Sequence, residues 1–351
     1  MVSGWCTRHS FALSSCAACK RVKLQRCSVS RLIDCSSCAS RSMAQQPALS
    51  PTQYNLPLES GANGCYPPPT TEVRVTGRVK VHDWQDIAQR EAAVTELQAF
   101  CTASINRLRL EAFKPILLKG AVADWPAVDK WSLDWLVQQY GEQRVQAPSM
   151  LTPMTLEQFA LRAQKDSLHP PLFYPDGEFY YMQSPVTRDM RLSGDLKFDQ
   201  SPFSVVLAPD EKGVRNIIPA AAARVWMSPQ GAISPLHFDC HDSFLIQLRG
   251  TKRMLLWSPD QLHMVYPYPN WHVLRRRGRV DPAMPNLKRF PKFAKAHAVE
   301  VVLHPGDVLF FPGYWAHYTE SCTFSVSITC RFGLVQEVTR KRSIFSLLAR
   351  P

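Results

Sequence analysis

Nowhere in the 351 residues is there a run of roughly 18 or more apolar residues, so the sequence offers no membrane-spanning helix. The first 42 residues also lack the apolar stretch of about 7–15 residues that marks a secretory signal. Framework cysteines are missing: Cys65, Cys101, Cys240, Cys322 and Cys330 are scattered, and the total of 11 is odd. That excludes a fully paired disulfide scaffold and points to a reducing compartment. Acids are scarce, 29 against 41 Lys and Arg, for a formal charge of +12. The excess is confined to residues 1–50 (net +6) and 271–297 (net +7), and the rest is close to neutral. Basicity therefore belongs to two segments and not to the fold.

What is present begins with a leader. Residues 1–42 are rich in Ser, Cys, Ala and Arg, with Asp34 their one acid. That composition suits an organellar transit peptide, plastid or mitochondrial; without that role, cytoplasm or nucleus is the expected location. "CAAC" (16–19) and "CSSC" (35–38) also carry the spacing of a four-cysteine zinc site, although the stretch between them has no aromatic residue. Both readings stay open. Residues 43–79 read as a disordered, Pro/Gly-rich linker in which Met43 is a second candidate start, 80–335 as the folded domain, and 336–351 as a basic tail.

The folded part opens with helical patterning in "WQDIAQREAAVTELQAF" and a buried strand in "PILLKG". Ser132 is placed to cap "LDWLVQQYG", and Thr155 opens a Thr-x-x-Gln capping box. "EFYYMQ" (178–183) is strand-like. Beyond Pro202 short strands dominate: "ARVWMSP", "SPLHFDC", "SFLIQLRGTKRMLLWSP", "HAVEVVLHPGDVLFFPG" and "SCTFSVSITCRF". "RGTK" and Pro305–Gly306 read as hairpin turns. The expected class is α+β, helices first and then a double-sheet β sandwich or small barrel.

In "SPLHFDCHDSF" the residues His237, Asp239 and His241 fall on alternate positions, which a continuous strand turns to one face. "GYWAHYTES" supplies His317 just after another strand. Two His and one carboxylate form the ligand set of non-haem Fe(II) oxygenases, which leaves coordination positions open. A His-x-Asp on a strand is equally a structural polar pair, and the tripeptide alone does not decide.

The surrounding sequence does more. "SPLHFDCHDSFLIQLRGTKRMLLWSPDQLHMVYPYP", "LKRFPKFAKA", "PGDVLFFPGYWAHYTES" and the upstream "KPILLKGAVADWPAVDKWSLDWLVQQYG" closely resemble the JmjC, or cupin-like, 2-oxoglutarate oxygenases over about residues 110–333. The resemblance is to the small-hydroxylase branch that includes factor inhibiting HIF, the heat-shock-protein-associated member and the tRNA wybutosine hydroxylases. It implies a double-stranded β-helix (jelly-roll) core with N-terminal helices packed on it. It also implies Fe(II) held by His237, Asp239 and His317, with 2-oxoglutarate as cosubstrate and O2. By the same resemblance Lys252 pairs with the far carboxylate of oxoglutarate, and Tyr181 and Ser234 supply hydroxyls to it. Arg331 falls where the family carries an Asn near the other carboxylate, and Gly333 where it carries a Trp. His241 falls at a substrate-side position.

The implied activity is dioxygenase hydroxylation of a macromolecule, a protein side chain first and RNA second, with demethylation less favoured. A cupin-like module without turnover is the remaining alternative. Arg276 and Arg277 in "RRRGR", with Tyr266, Tyr268 and Trp271 nearby, are the candidate substrate contacts, and this basic segment is where RNA phosphates would be gripped. Only 19 residues follow Phe332, too few for the helix pair through which factor inhibiting HIF dimerises, so a monomer is expected.

Overall fold

The computed structural model describes residues 73–103, 113–145, 154–161, 182–207, 216–217, 223–230 and 232–334. The two CxxC pairs, the linker up to residue 72, Tyr181 and the basic tail lie outside the described residues. The N-terminal part contributes β1 (Arg74–Arg78), β2 (Lys80–Asp83), α1 (Ile87–Ala103), β3 (Ile116–Lys119), α2 (Pro126–Lys130) and α3 (Leu133–Tyr140). Next come the short pair β4 (Arg144–Val145) and β5 (Met154–Thr155), then β6 (Met182–Pro185), α4 (Arg188–Leu192), α5 (Phe203–Leu207) and β7 (Asn216–Ile217). The caps form as expected. Ser132 Oγ accepts from Trp135 N at 3.1 Å, and Thr155 and Gln158 exchange bonds reciprocally at 3.0 and 3.2 Å. Among the described residues no helix is long and apolar enough to cross a membrane.

The core is built from β8 (Ala223–Ser228), β9 (Ile233–Phe238), β10 (Asp242–Arg249), β11 (Lys252–Trp257), β12 (His297–Leu303), β13 (Val308–Phe311), β14 (Ala316–Ser321) and β15 (Ser325–Leu334). They divide between two sheets, ordered β1-β12-β11-β14-β9 and β2-β3-β13-β10-β15-β8-β6. Successive strands therefore change sheet at every connection from β8 to β15 but one, that from β11 to β12. This is the double-stranded β-helix, a jelly roll.

That topology corrects both hairpins. β10 pairs with β13 and β15, whereas β11 pairs with β12 and β14, so "RGTK" carries the chain between layers. Pro305–Gly306 does the same between β12 and β13. Turn chemistry reports a reversal, but which sheet receives the next strand depends on long-range pairing. At the first crossing Gly250 takes φ +66°, and a Cβ there would overlap the Phe324 carbonyl.

Alternation then sorts the side chains. On β15, Val326, Ile328, Cys330 and Phe332 face the helices, while Ser325, Ser327, Thr329 and Arg331 fall on the alternate face, from which Thr329 and Arg331 line the space between the sheets. The helix-side core joins Phe203, Phe244, Phe310 and Phe332, with ring centroids 5.1 Å apart for Phe203–Phe244 and for Phe244–Phe332. A second cluster between the sheets centres on Leu245, Met254, Leu256, Leu309 and Phe311. A third forms where residues 258–296, the one within-sheet connection between β8 and β15, fold over the outer face of the five-stranded sheet. There Leu262, Val265, Phe290 and Phe293 cover Trp257, Phe238 and Tyr318. Each large apolar side chain so buried stabilises by about 1.5–3 kcal/mol.

Candidate metal centre

β9 and β14 are antiparallel neighbours, and His237 stands opposite His317 in their register. Their ring centroids are 4.2 Å apart with the planes inclined by 57°. β9 ends at Phe238, so Asp239 is delivered by the crossover to β10, where its carbonyl accepts from Tyr314 N at 2.7 Å. One ligand atom from each of His237, Asp239 and His317 lies within 4.8 Å of the others.

The two imidazoles are set as ligands by their own backbone. His237 Nδ1 lies 2.7 Å from the Pro235 carbonyl and His317 Nδ1 2.9 Å from that of Trp315. A carbonyl only accepts, so each Nδ1 carries the hydrogen and each Nε2 keeps a lone pair for a metal. Burial lowers the pKa of His237; for His317, burial and then the neighbouring His237 push it down to about 3. Both rings are therefore neutral at ordinary pH. Burial by itself raises the Asp239 carboxyl, but the Arg331 guanidinium, with both imidazoles, more than reverses this and holds it well below the usual carboxylate range. Two neutral imidazoles and an ionised carboxylate suit a divalent first-row ion such as Fe(II).

The three residues line a cavity of about 60 Å3 between the sheets. Ser234 lines it too, although a spacing of three from His237 puts the two on opposite faces of a regular strand. The register resolves this: Ser234 pairs with Thr319 and His237 with His317, so β9 carries one extra residue there and the bulge turns Ser234 inward. Lys252, opposite Ser321 in the β11–β14 register, is 5% exposed, and its ammonium makes no ion pair or hydrogen bond among the described residues. Burial lowers its pKa from the usual lysine range to about 7.

The remaining expectations divide. Arg331 lines the cavity and donates to Asp239 Oδ2 from Nε at 3.1 Å and Nη2 at 2.8 Å. Arg276 Nη1 comes within 3.5 Å of Asp239 Oδ1. Arg277 forms a backbone bridge to His237, and Phe238 N donates to the Arg276 carbonyl at 3.0 Å, so this segment runs along the outer edge of β9. Gly278 permits that approach, since a Cβ there would lie 2.9 Å from both the Leu236 side chain and the Val265 carbonyl. His241 is carried onward by the crossover and does not line the cavity, so the three same-face positions of an unbroken strand do not occur. Thr319, Ser321 and Thr329 line it without having been anticipated. Their signal was the period of two running from His317 and back from Arg331.

A cupin-like domain model matches residues 103–332. The chain is 25% identical over 253 residues to lysine-specific demethylase 8 of Xenopus tropicalis, covering 69% of this chain and 53% of that protein. It is 29% identical over 231 residues to tRNA wybutosine-synthesizing protein 5 of Danio rerio, covering 61% and 67%. With human HSPB1-associated protein 1 it shares 29% identity over 236 residues, 59% of this chain and 45% of that one. It thus spans little more than half the length of the demethylase it matches.

Proposed function

The chain belongs to the cupin-like domain family, and from that premise we propose that it is an Fe(II)- and 2-oxoglutarate-dependent dioxygenase that hydroxylates a macromolecule, a protein side chain first. One observation carries this reading: the His237–Asp239–His317 set lines the same cavity as the Lys252 ammonium, which has no partner among the described residues. A buried cation without a counter-charge is costly, and an entering dicarboxylate whose other end reaches the metal repays it.

His237, Asp239 and His317 would hold the iron. Iron and oxoglutarate, once bound, would supply the oxidising chemistry together with O2, one oxygen atom entering succinate as CO2 leaves and the other entering the substrate. Lys252 fixes the far carboxylate, and the inward hydroxyls of Ser234, Thr319 and Ser321 line its path. Arg331 stands at the metal end as a donor to the other carboxylate. Leu245, Met254 and Phe311 supply apolar walls that limit water around the reacting groups. The chain's own part is orientation and exclusion; no general base is needed.

The test is anaerobic loading with Fe(II) and oxoglutarate, followed by O2. Iron-dependent succinate release is expected; its absence from folded protein, with or without candidate substrates, removes the enzyme reading. A second substrate class is favoured by one observation: Trp271 is 83% exposed beside Arg275–Arg277, and Tyr268 stacks on His272 at 4.5 Å. A run of arginines beside an exposed ring suits RNA. If RNA is the substrate, its binding weakens steeply with salt, and R275Q/R276Q/R277Q flattens the dependence; a salt-independent substrate affinity excludes it.

A further inference from the structure

The metal reading leaves the arginines on Asp239 without a role in coordination. Asp239 is 7% exposed, and a buried carboxylate has to be paired. Arg331 does this with two charge-assisted bonds to Oδ2, at 3.1 and 2.8 Å. The pairing is built into the sheet: Arg331 sits on β15 opposite Ser243 of β10, its side chain is only 23% exposed, and it enters the cavity from the sheet facing the one that carries both histidines. Oδ1 is held differently, by a single 3.5 Å approach from Arg276, whose side chain is 46% exposed.

We propose that Arg331 is the resident counter-ion of the metal centre, occupying the Asp239 carboxylate before an ion arrives and thereby weakening divalent-metal binding. This rests on the metal reading above. A guanidinium does not lose its proton in a protein. A divalent ion that takes Asp239 must therefore turn Arg331 away or accept a full positive charge one carboxylate's width from itself, and both oppose binding. The unequal grip on the two oxygens gives the route: Oδ1, touched among the described residues only by the more exposed Arg276, is released to the ion, and Oδ2 stays with Arg331. Arg331 is thus a positioning residue with two opposed effects, stabilising the metal-free chain while making the loaded one less favourable. A purely structural arginine has only the first.

The experiment titrates Mn2+ into the full chain at pH 7.5 without oxoglutarate, by calorimetry, for wild type, R331Q, R331K and D239A, with thermal melts of each. R331Q is expected to bind Mn2+ about tenfold tighter than wild type, while melting lower without metal. R331K, which keeps the charge, stays within about twofold of wild type. R331Q affinity equal to or weaker than wild type overturns the proposal. Should R331Q fold only with metal present, chelator-driven Mn2+ release from the loaded variant replaces the titration. Release about tenfold slower than wild type upholds the proposal, and release equal or faster overturns it. Failure of the underlying reading looks different: wild type binds no Mn2+, or D239A binds it as well as wild type does.

Discussion

His237 and His317 face each other across one rung of the β9–β14 ladder, their ring centroids 4.2 Å apart. Two histidines 80 positions apart in the chain are thereby made neighbours by strand register, and Asp239 joins them from the turn that follows.

The first prediction concerns this set. His237→Ala, Asp239→Ala and His317→Ala should each cost at least about 100-fold in divalent-metal affinity. His241→Ala, outside the cavity, should change it less than about threefold. Titration of the anaerobic protein with Co(II), followed by its visible absorption, reads all four. Loss of the ion in His241→Ala would mean that the ligands have been wrongly assigned.

Lys252 predicts a pH dependence of cosubstrate binding. In the free chain its pKa is about 7, and a carboxylate partner raises it. Binding above pH 7 must then take up a proton. Oxoglutarate affinity should be flat below pH 7 and fall by up to about tenfold per pH unit above it. Calorimetry in buffers of different ionisation enthalpy should find uptake approaching one proton at about pH 8. Lys252→Met should bind oxoglutarate far more weakly and without proton uptake.

The same lysine makes an opposite prediction for stability. Between about pH 7 and the ordinary lysine value of 10.5 the unfolded chain binds a proton that the folded chain does not, so stability rises with pH across that window. Below pH 7 both states are charged and the burial cost is present in full, roughly 5 kcal/mol at about 1.4 kcal/mol per unit. Lys252→Met should therefore raise the melting temperature at pH 6, with the gain shrinking towards pH 10. A gain independent of pH would show that packing, not charge, is the cause.

Gly250→Ala tests the first crossover. The residue needs a left-handed φ and has the Phe324 carbonyl where a Cβ would stand. Destabilisation of roughly 2–4 kcal/mol is expected from chemical denaturation. A loss below about 0.5 kcal/mol would mean that the turn relaxes freely.

Much of this was legible in the chain. The Thr155–Gln158 capping box and Ser132 cap are local chemistry and appear as read, and the alternation along β15 announces one face for Phe332 and another for Arg331. The partners of β10 and β11 were not legible, because a turn such as "RGTK" is the same sequence whether the next strand pairs beside it or crosses to the other layer. The inward turn of Ser234 was hidden for a similar reason: a bulge is defined by the partner strand, and β14 lies some 80 residues away. The Arg331–Asp239 pair combines both difficulties, joining residues 92 apart from facing sheets.

One consequence of the topology concerns engineering. Residues 258–296 leave β11 and return to β12, its direct neighbour, so this excursion threads nothing and crosses no layer. It behaves as a cassette on the outer face of the five-stranded sheet, packed on Phe238 of β9 and Tyr318 of β14 and bridged to the edge of β9 through Arg276–Gly278. Exchanging it, with Arg276–Gly278 kept as the seam, would alter what the cavity greets while leaving His237 and His317 on their strands and Asp239 on the crossover that follows β9.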